Sequence, residues 1–152
     1  MESHLPEYEL YAIRYAERDA RRSDHFIGGD PHDSPMPMDY FVWAAIGNEH
    51  SFVIDTGFTV EVAAARGRRH LGCPAESLSL VGLDRNTVAD VILTHMHYDH
   101  VGTFHRFPAA SFICRRSSCT TRPAATCATR SSPALSRWRM SSASCGSFRP
   151  AG

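Results

Sequence analysis

The chain has 152 residues, 43% of them hydrophobic and 21% charged, a composition typical of one soluble globular domain. Its 16 basic residues, all arginine, balance its 16 acidic residues, but residues 1–113 carry −7 and residues 114–152 carry +7. The longest apolar run, Tyr40–Gly47, is far short of the roughly 20 residues of a membrane-spanning helix. The N-terminus also lacks the basic and apolar pattern of a secretory signal. We therefore expect a cytoplasmic chain with no membrane segment.

The first predicted elements are strands. Leu10–Tyr15 is rich in aromatic and branched residues, and its imperfect alternation still favours a strand. Residues 27–38 contain so many Gly, Pro and Asp residues that they are predicted to form a loop. Two apolar runs follow, Tyr40–Ile46 and Phe52–Ile54, and the short polar segment between them predicts a hairpin.

Two helices are predicted next. Thr59 is a suitable N-cap for a helix that extends to about His70, with Gly72 as its stop. A second, short helix is expected over residues 75–81, closed by Gly82. A further strand is predicted at Val91–Leu93, and Ala110–Ile113 is expected to begin another. This order of elements predicts a mixed α/β fold.

The segment after the strand Val91–Leu93 is the one most informative about chemistry. It contains four potential metal ligands within six residues: His95, His97, Asp99 and His100. Imidazoles two residues apart on an extended segment can bind one ion, and Asp99 and His100 can reach a second. Two ions at roughly 3.5–4 Å can share a hydroxide that is nucleophilic at neutral pH. Imidazole and carboxylate ligands favour zinc, with iron, cobalt or manganese as alternatives.

The same residues resemble a known family. The pattern His95-x-His97-x-Asp99-His100, followed by Gly102 and preceded by a strand, resembles the signature of the metallo-β-lactamase superfamily. Asp55-Thr56-Gly57 is similar to the superfamily's other N-terminal motif. Residues 27–33, 38–43 and 94–100 resemble the N-acyl-homoserine lactonase-like branch, although glyoxalase II-like and other hydrolases share the ligand cluster. The resemblance covers about residues 8–113.

The resemblance implies a dinuclear zinc hydrolase with an αββα sandwich, of which residues 1–113 would form the N-terminal half. His95 and His97 would hold one metal, and Asp99 and His100 the other. A bridging hydroxide would attack the carbonyl of a small-molecule lactone or ester, as in quorum quenching, and Asp99 would pass a proton to the leaving alkoxide. Asp55 would orient the metal loop from behind the ligands. The Gly28–Asp33 loop and Tyr40 would line the substrate cleft or, equally well, serve structural roles.

The sequence departs from the superfamily pattern after residue 113. The further His, bridging Asp and last His of the superfamily have no counterpart, since the sequence has no carboxylate after Asp99 and no His after His105. The ligand set is therefore expected to be incomplete. The alternative to a hydrolase is a truncated, non-catalytic remnant that binds metal weakly or not at all. An open sheet face would favour association, so a homo-oligomer is also possible.

Residues 114–152 are predicted to form a separate low-complexity tail, irregular or disordered. Arg, Ser, Ala, Thr, Pro and Cys make up 33 of its 39 residues. Its four cysteines form no CxxC pair, which argues against a zinc knuckle or a disulfide framework. Its arginines are scattered, so nucleic-acid binding is not expected. Our hypothesis is that this tail is a frameshifted translation of the original gene, which sequencing of the gene would test.

Overall fold

The computed structural model of the chain describes residues 5–115 and 135–138. Its strands are β1 (Glu9–Arg18), β2 (Met38–Ile46), β3 (Ser51–Ile54), β4 (Arg69–His70), β5 (Asp90–Leu93), β6 (Ser111–Arg115) and β7 (Leu135–Trp138). The α-helices are α1 (Val60–Ala65), α2 (Pro74–Ser77) and α3 (Tyr98–Val101), and short 3₁₀ helices cover Arg22–Asp24, Leu78–Val81 and Phe104–Arg106. None of these helices has the length and apolar composition that a membrane crossing requires.

The described strands form one mixed sheet in the order β4-β1-β2-β3-β5-β6-β7. Strands β1, β2 and β3 are antiparallel neighbours, whereas β3, β5 and β6 run parallel to one another. The carboxyl ends of parallel strands meet at one edge of a sheet, where α/β proteins place their ligands. Asp55 follows β3 directly and Thr94 follows β5, so both motifs of the sequence lie at this edge. The predicted mixed α/β class is confirmed.

The core lies between one face of the sheet and the helices. Alternate residues of the central strands, such as Val42, Val53 and Val91, point into it and are almost completely buried. Helix residues pack against the same cluster, among them Ala63 of α1 and Val101 of α3. The intervening residues of β2 occupy the opposite face, where large aromatic side chains remain exposed.

Strand β1 is longer than predicted and contains a β-bulge. Arg14 pairs with Phe41 and Ala16 pairs with Tyr40, so Tyr15 is an extra residue without a partner in the ladder. Both Tyr15 and Ala16 are therefore buried, at 1% and 0% exposure. A bulge interrupts the two-residue period of side chains, which explains why the alternation in this part of the sequence is imperfect.

The first predicted helix is too long. Helix α1 begins at its predicted N-cap, with the Val62 amide donating to the Thr59 hydroxyl, but it ends at Ala65. Gly67 has a φ of 62°, and the amide of Arg68 turns back to the Ala63 carbonyl at 2.8 Å. A left-handed glycine of this kind ends a helix. The next residues pair with β1 as the short strand β4. The predicted helix over 75–81 is confirmed as α2 followed by a 3₁₀ turn.

The predicted boundary near residue 113 falls inside a strand. Strand β6 continues to Arg115 and pairs in parallel with β5. Within the predicted tail, Leu135–Trp138 forms β7, which pairs with β6 in antiparallel orientation. The remaining residues of the predicted tail, 116–134 and 139–152, lie outside the described residues. The division of the chain into two domains and the frameshift hypothesis therefore stay predictions.

Candidate metal centre

The carboxylate of Asp55 organises the edge of the sheet where the two motifs meet. Its Oδ1 accepts hydrogen bonds from the Thr94 amide at 2.8 Å and the Thr94 hydroxyl at 3.0 Å. Its Oδ2 lies 2.7 Å from His100 Nδ1. Asp55 is only 5% exposed and has a φ of 62°, a left-handed conformation that Asp adopts more readily than most residues. One buried carboxylate thus joins the end of β3 to both ends of the ligand loop.

The predicted ligand residues come together in this loop. The ring of His95 lies 4.6 Å from that of His97 and 3.8 Å from that of His100, measured between centroids. The Oδ2 atom of Asp99 lies 3.6 Å from His100 Nε2. Three imidazoles and one carboxylate therefore share a partly exposed cluster at the carboxyl end of β5.

The electrostatics of the cluster differ between its histidines. Burial opposes the charged form of His100, but the hydrogen bond and negative charge of Asp55 outweigh it and raise the pKa of His100. For His95, burial and then the positive charges of His100 and His97 lower the pKa. These interactions favour the neutral form of His95, the form in which imidazole binds metals. The Nδ1 atom of His95 lies 3.1 Å from the Thr94 hydroxyl.

Helix α3 carries Asp99 and His100. Residues from other elements anchor it by donating hydrogen bonds to its carbonyl groups. The His100 carbonyl accepts from the Thr56 amide at 2.7 Å and from the Thr56 hydroxyl at 3.1 Å. The Asp99 carbonyl accepts from the Tyr15 hydroxyl at 3.3 Å. The last carbonyls of any helix lack partners within it. In this four-residue helix, Thr56 from the turn after β3 and Tyr15 from β1 supply the missing hydrogen-bond donors.

Aromatic rings pack behind the ligand loop. The ring of Phe58, fully buried, contacts Tyr15 edge-on at 4.9 Å, Tyr40 at 5.1 Å and Tyr98 in a stacked arrangement at 5.7 Å. The guanidinium carbon of Arg66 lies 3.9 Å from the centroid of the Tyr98 ring. Burial, followed by the hydrogen bond to Tyr98, raises the pKa of Tyr40. This packing supports the loop from the core side.

The chemistry of this donor set fits a divalent metal ion. Neutral imidazole nitrogen and carboxylate oxygen are the ligands that zinc accepts, and a carboxylate on the far nitrogen of a ligand histidine is the usual orienting arrangement. Asp55 has this relation to His100. The arrangement falls short in number, because no three His, Cys, Asp or Glu side chains within the described residues are placed to hold one ion.

The Gly28–Asp33 loop and Tyr40, which the sequence analysis considered as lining of a substrate cleft, make contacts typical of structural residues. In the Gly28–Asp33 loop, Asp33 pairs with Arg21 and Asp30 pairs with Arg22. Tyr40 is buried in the aromatic cluster at 9% exposure. A role for either in lining a substrate cleft stays a prediction.

Sequence reasoning missed three residues that hold the loop. Thr94 adjoins the histidine motif, and its position directly before His95 was the available signal. Thr56 lies inside the predicted Asp-Thr-Gly motif, but its bond to α3 required the fold. Tyr15 gives no local signal apart from the broken alternation around it.

The fold and the site define a class of protein. A mixed α/β sheet carries a histidine-rich loop after a parallel strand, and a buried carboxylate from the neighbouring strand orients one of the histidines. Such an arrangement is characteristic of a metal centre. The profile of the metallo-beta-lactamase superfamily matches residues 37–118. The chain belongs to this superfamily.

The chain is also similar to individual proteins and solved structures. The chain is 32% identical to the N-acyl homoserine lactonase AttM of Rhizobium radiobacter, over 59% of this chain and 38% of that protein. Among solved structures, a probable metal-dependent hydrolase from Staphylococcus aureus has a TM-score of 0.55 at 12% identity, over 70% of this chain and 46% of the other. An N-acyl homoserine lactone hydrolase solved with N-hexanoyl-L-homoserine at its catalytic metal centre has a TM-score of 0.51 at 15% identity, over 68% and 46%. The chain thus spans less than half the length of each.

Proposed function

We propose that the chain acts as a metal-dependent hydrolase of lactones or esters, with N-acyl-homoserine lactones as the favoured substrate class and zinc as the metal. The observation that carries the proposal is the contact between Asp55 and His100 Nδ1 within a cluster of three imidazoles. The similarity to the lactonase AttM supports the choice of substrate.

The residues of the chain have distinct roles in this proposal. His95, His97, Asp99 and His100 would hold the metal. A divalent ion held there would make a water molecule nucleophilic at neutral pH and would polarise a carbonyl oxygen. The Asp99 carboxylate would accept a proton from the attacking water and pass it to the alkoxide that leaves when the ester bond breaks.

The residues around the ligands keep them in place. Asp55 holds the proton on His100 Nδ1 and so leaves Nε2 of that ring as the metal-binding nitrogen. Thr94 fixes Asp55 through its amide and hydroxyl. The buried ring of Phe58 excludes water from behind the loop.

One experiment tests the proposal directly. The full chain is expressed, its zinc content is measured per chain, and hydrolysis of an N-acyl-homoserine lactone is followed. We expect metal binding and turnover, and at least a 100-fold loss of turnover in His97→Ala. His50→Ala is the matched control, since His50 lies in the exposed β2–β3 turn. Equal loss in both variants, or turnover that survives His97→Ala, would refute the proposed role of the cluster.

A second candidate is a non-catalytic chain that binds metal weakly. It is favoured by the observation that the described residues do not place three donors about one point. Less than one zinc ion per chain, together with no lactone turnover by the wild type, would support this candidate and overturn the hydrolase proposal.

A further inference from the structure

Tyr15 lies far from the ligands in sequence but contacts their helix in the structure. Its side chain extends from β1 into the core, and its hydroxyl donates to the Asp99 carbonyl. The ring of Phe58, directly after the Asp-Thr-Gly turn, packs edge-on against this side chain at 4.9 Å. The hydroxyl therefore lies between the turn after β3 and the helix that carries Asp99.

The β-bulge gives Tyr15 this position. Since Tyr15 has no partner in β2, its side chain turns inward next to that of Ala16. The backbone carbonyl of Tyr15 accepts hydrogen bonds from the Leu71 amide at 2.8 Å and from the Gly72 amide at 3.3 Å, on the side of β1 away from β2. Bulges are frequent beside functional sites, where they change the direction of one side chain.

The ring of Tyr15 is closely fitted to the turn that contains the Asp-Thr-Gly motif. A Cβ atom at Gly57 would lie 2.8 Å from Tyr15 Cζ, closer than real contacts permit. Phe58 covers the ring edge-on. The ring is held on both sides, so its hydroxyl has a defined direction.

We infer that Tyr15 is a positioning residue of the metal centre: its hydroxyl fixes the Asp99 peptide and thereby directs the Asp99 carboxylate towards His100. The inference rests on the proposed function for its consequence in metal binding. Within its own helix the peptide between Asp99 and His100 is held by one bond, from the His100 amide to the His97 carbonyl at 3.0 Å. Thr56 binds only the His100 carbonyl, so without Tyr15 the Asp99 carbonyl has no anchor outside this short helix. The Asp99 carboxylate would then lose its defined position 3.6 Å from His100 Nε2.

The test compares Tyr15→Phe with Tyr11→Phe. Each removes one phenolic hydroxyl from β1, but the Tyr11 hydroxyl bonds to Glu9 at the surface. The first measurement uses metal-free protein and follows amide hydrogen exchange in α3 against that in β2. We expect exchange in α3 to become at least 10-fold faster in Tyr15→Phe only, with β2 unchanged. Unchanged exchange in α3 would overturn the inference.

The second measurement titrates the same proteins with cobalt(II), whose visible absorption reports its ligands. We expect roughly 10-fold weaker binding and an altered spectrum in Tyr15→Phe, the effect typical of groups that orient metal ligands. Identical affinity and spectrum in a wild type that binds cobalt would overturn the inference. If the wild type binds no cobalt, the proposed function fails, whereas faster exchange in α3 alone still supports the positioning of Asp99.

Two further variants separate positioning from general stability. With 4-aminophenylalanine at position 15, the ring and a donor are retained, and wild-type exchange and cobalt affinity are expected to return. With 4-fluorophenylalanine, the volume is nearly retained but the donor is lost. This variant replaces Tyr15→Phe if that protein does not fold. Equal behaviour of the two variants would contradict a role for the hydrogen bond.

Discussion

Two loops of the molecule are organised by aspartates, in opposite environments. At the metal centre, Asp55 is 5% exposed and binds Thr94 and His100. In the loop after β1, Asp33 binds the Arg21 side chain and the Ser23 amide, with 30% of its side chain exposed. The geometry of the hydrogen bonds is similar, but the Asp33 carboxylate is open to water, whereas the Asp55 carboxylate is almost completely covered. We therefore expect burial, rather than the number of bonds, to decide what each carboxylate contributes.

The largest expected effect is that of Asp55→Ala. It removes the buried carboxylate that accepts from the Thr94 amide, the Thr94 hydroxyl and His100 Nδ1, and should lower the free energy of unfolding by about 4 kcal/mol. Urea denaturation measures this change. Asp55→Asn retains one acceptor oxygen and is expected to cost about half as much. Equal stability of Asp55→Ala and wild type would show that the turn does not depend on the carboxylate.

Much of this site could be predicted from the sequence, because its four predicted ligands lie within six residues. The cluster from His95 to His100 and the Asp-Thr-Gly motif are local patterns, and each follows an apolar strand that the sequence also shows. The family resemblance implied that Asp55 orients the metal loop, but the proximity of the two motifs depends on β3 and β5 being parallel neighbours, which only the structure shows. The end of α1 and strand β4 were missed because pairing with β1 overrides the helical preference of residues 66–70. Tyr15 was missed because a bulge leaves no periodic signal.

A pair of glycines sharpens the comparison of the two loops. Gly57, in the turn after Asp55, and Gly28, in the other loop, both have positive φ values, 68° and 88°. A Cβ at Gly57 would lie 2.6 Å from Pro74 Cγ, whereas nothing lies within 4 Å of one at Gly28. Gly57→Ala is expected to lower the free energy of unfolding by about 3 kcal/mol, from strain and overpacking. Gly28→Ala should cost about 1 kcal/mol, from the backbone alone.

Thermal and urea denaturation of both glycine variants measure this difference. Since the two substitutions are the same and both φ values are left-handed, the backbone contribution cancels in the comparison. The excess at Gly57 therefore reports how tightly the Asp55 turn packs against Tyr15 and Pro74. If Gly28→Ala proves the more destabilising, the loop after β1 is the more constrained of the two, contrary to our expectation.

The smallest effect is expected from the exposed pair of Arg21 and Asp33. Exposed ion pairs contribute little to folding, so Arg21→Ala should leave the urea midpoint close to that of the wild type. The pKa of Asp33 is a finer measure, because the Ser23 amide and then Arg21 lower it. A lowered pKa stabilises the fold above the ordinary Asp value near 3.9, and this stabilisation is lost as the pH falls through the pKa of the folded state.

Titration of the Asp33 carboxyl by NMR separates the two causes. In Arg21→Ala the pKa of Asp33 is expected to rise only part of the way to its ordinary value, because the Ser23 amide is the larger cause and remains. High salt should give a similar partial rise in the wild type, since it screens the charge of Arg21 but leaves the amide bond intact. A complete return to the ordinary value in Arg21→Ala would mean that the ion pair holds the Ser23 amide in place. The conformation of the loop after β1 would then depend on the Arg21–Asp33 ion pair, although both side chains are exposed to water.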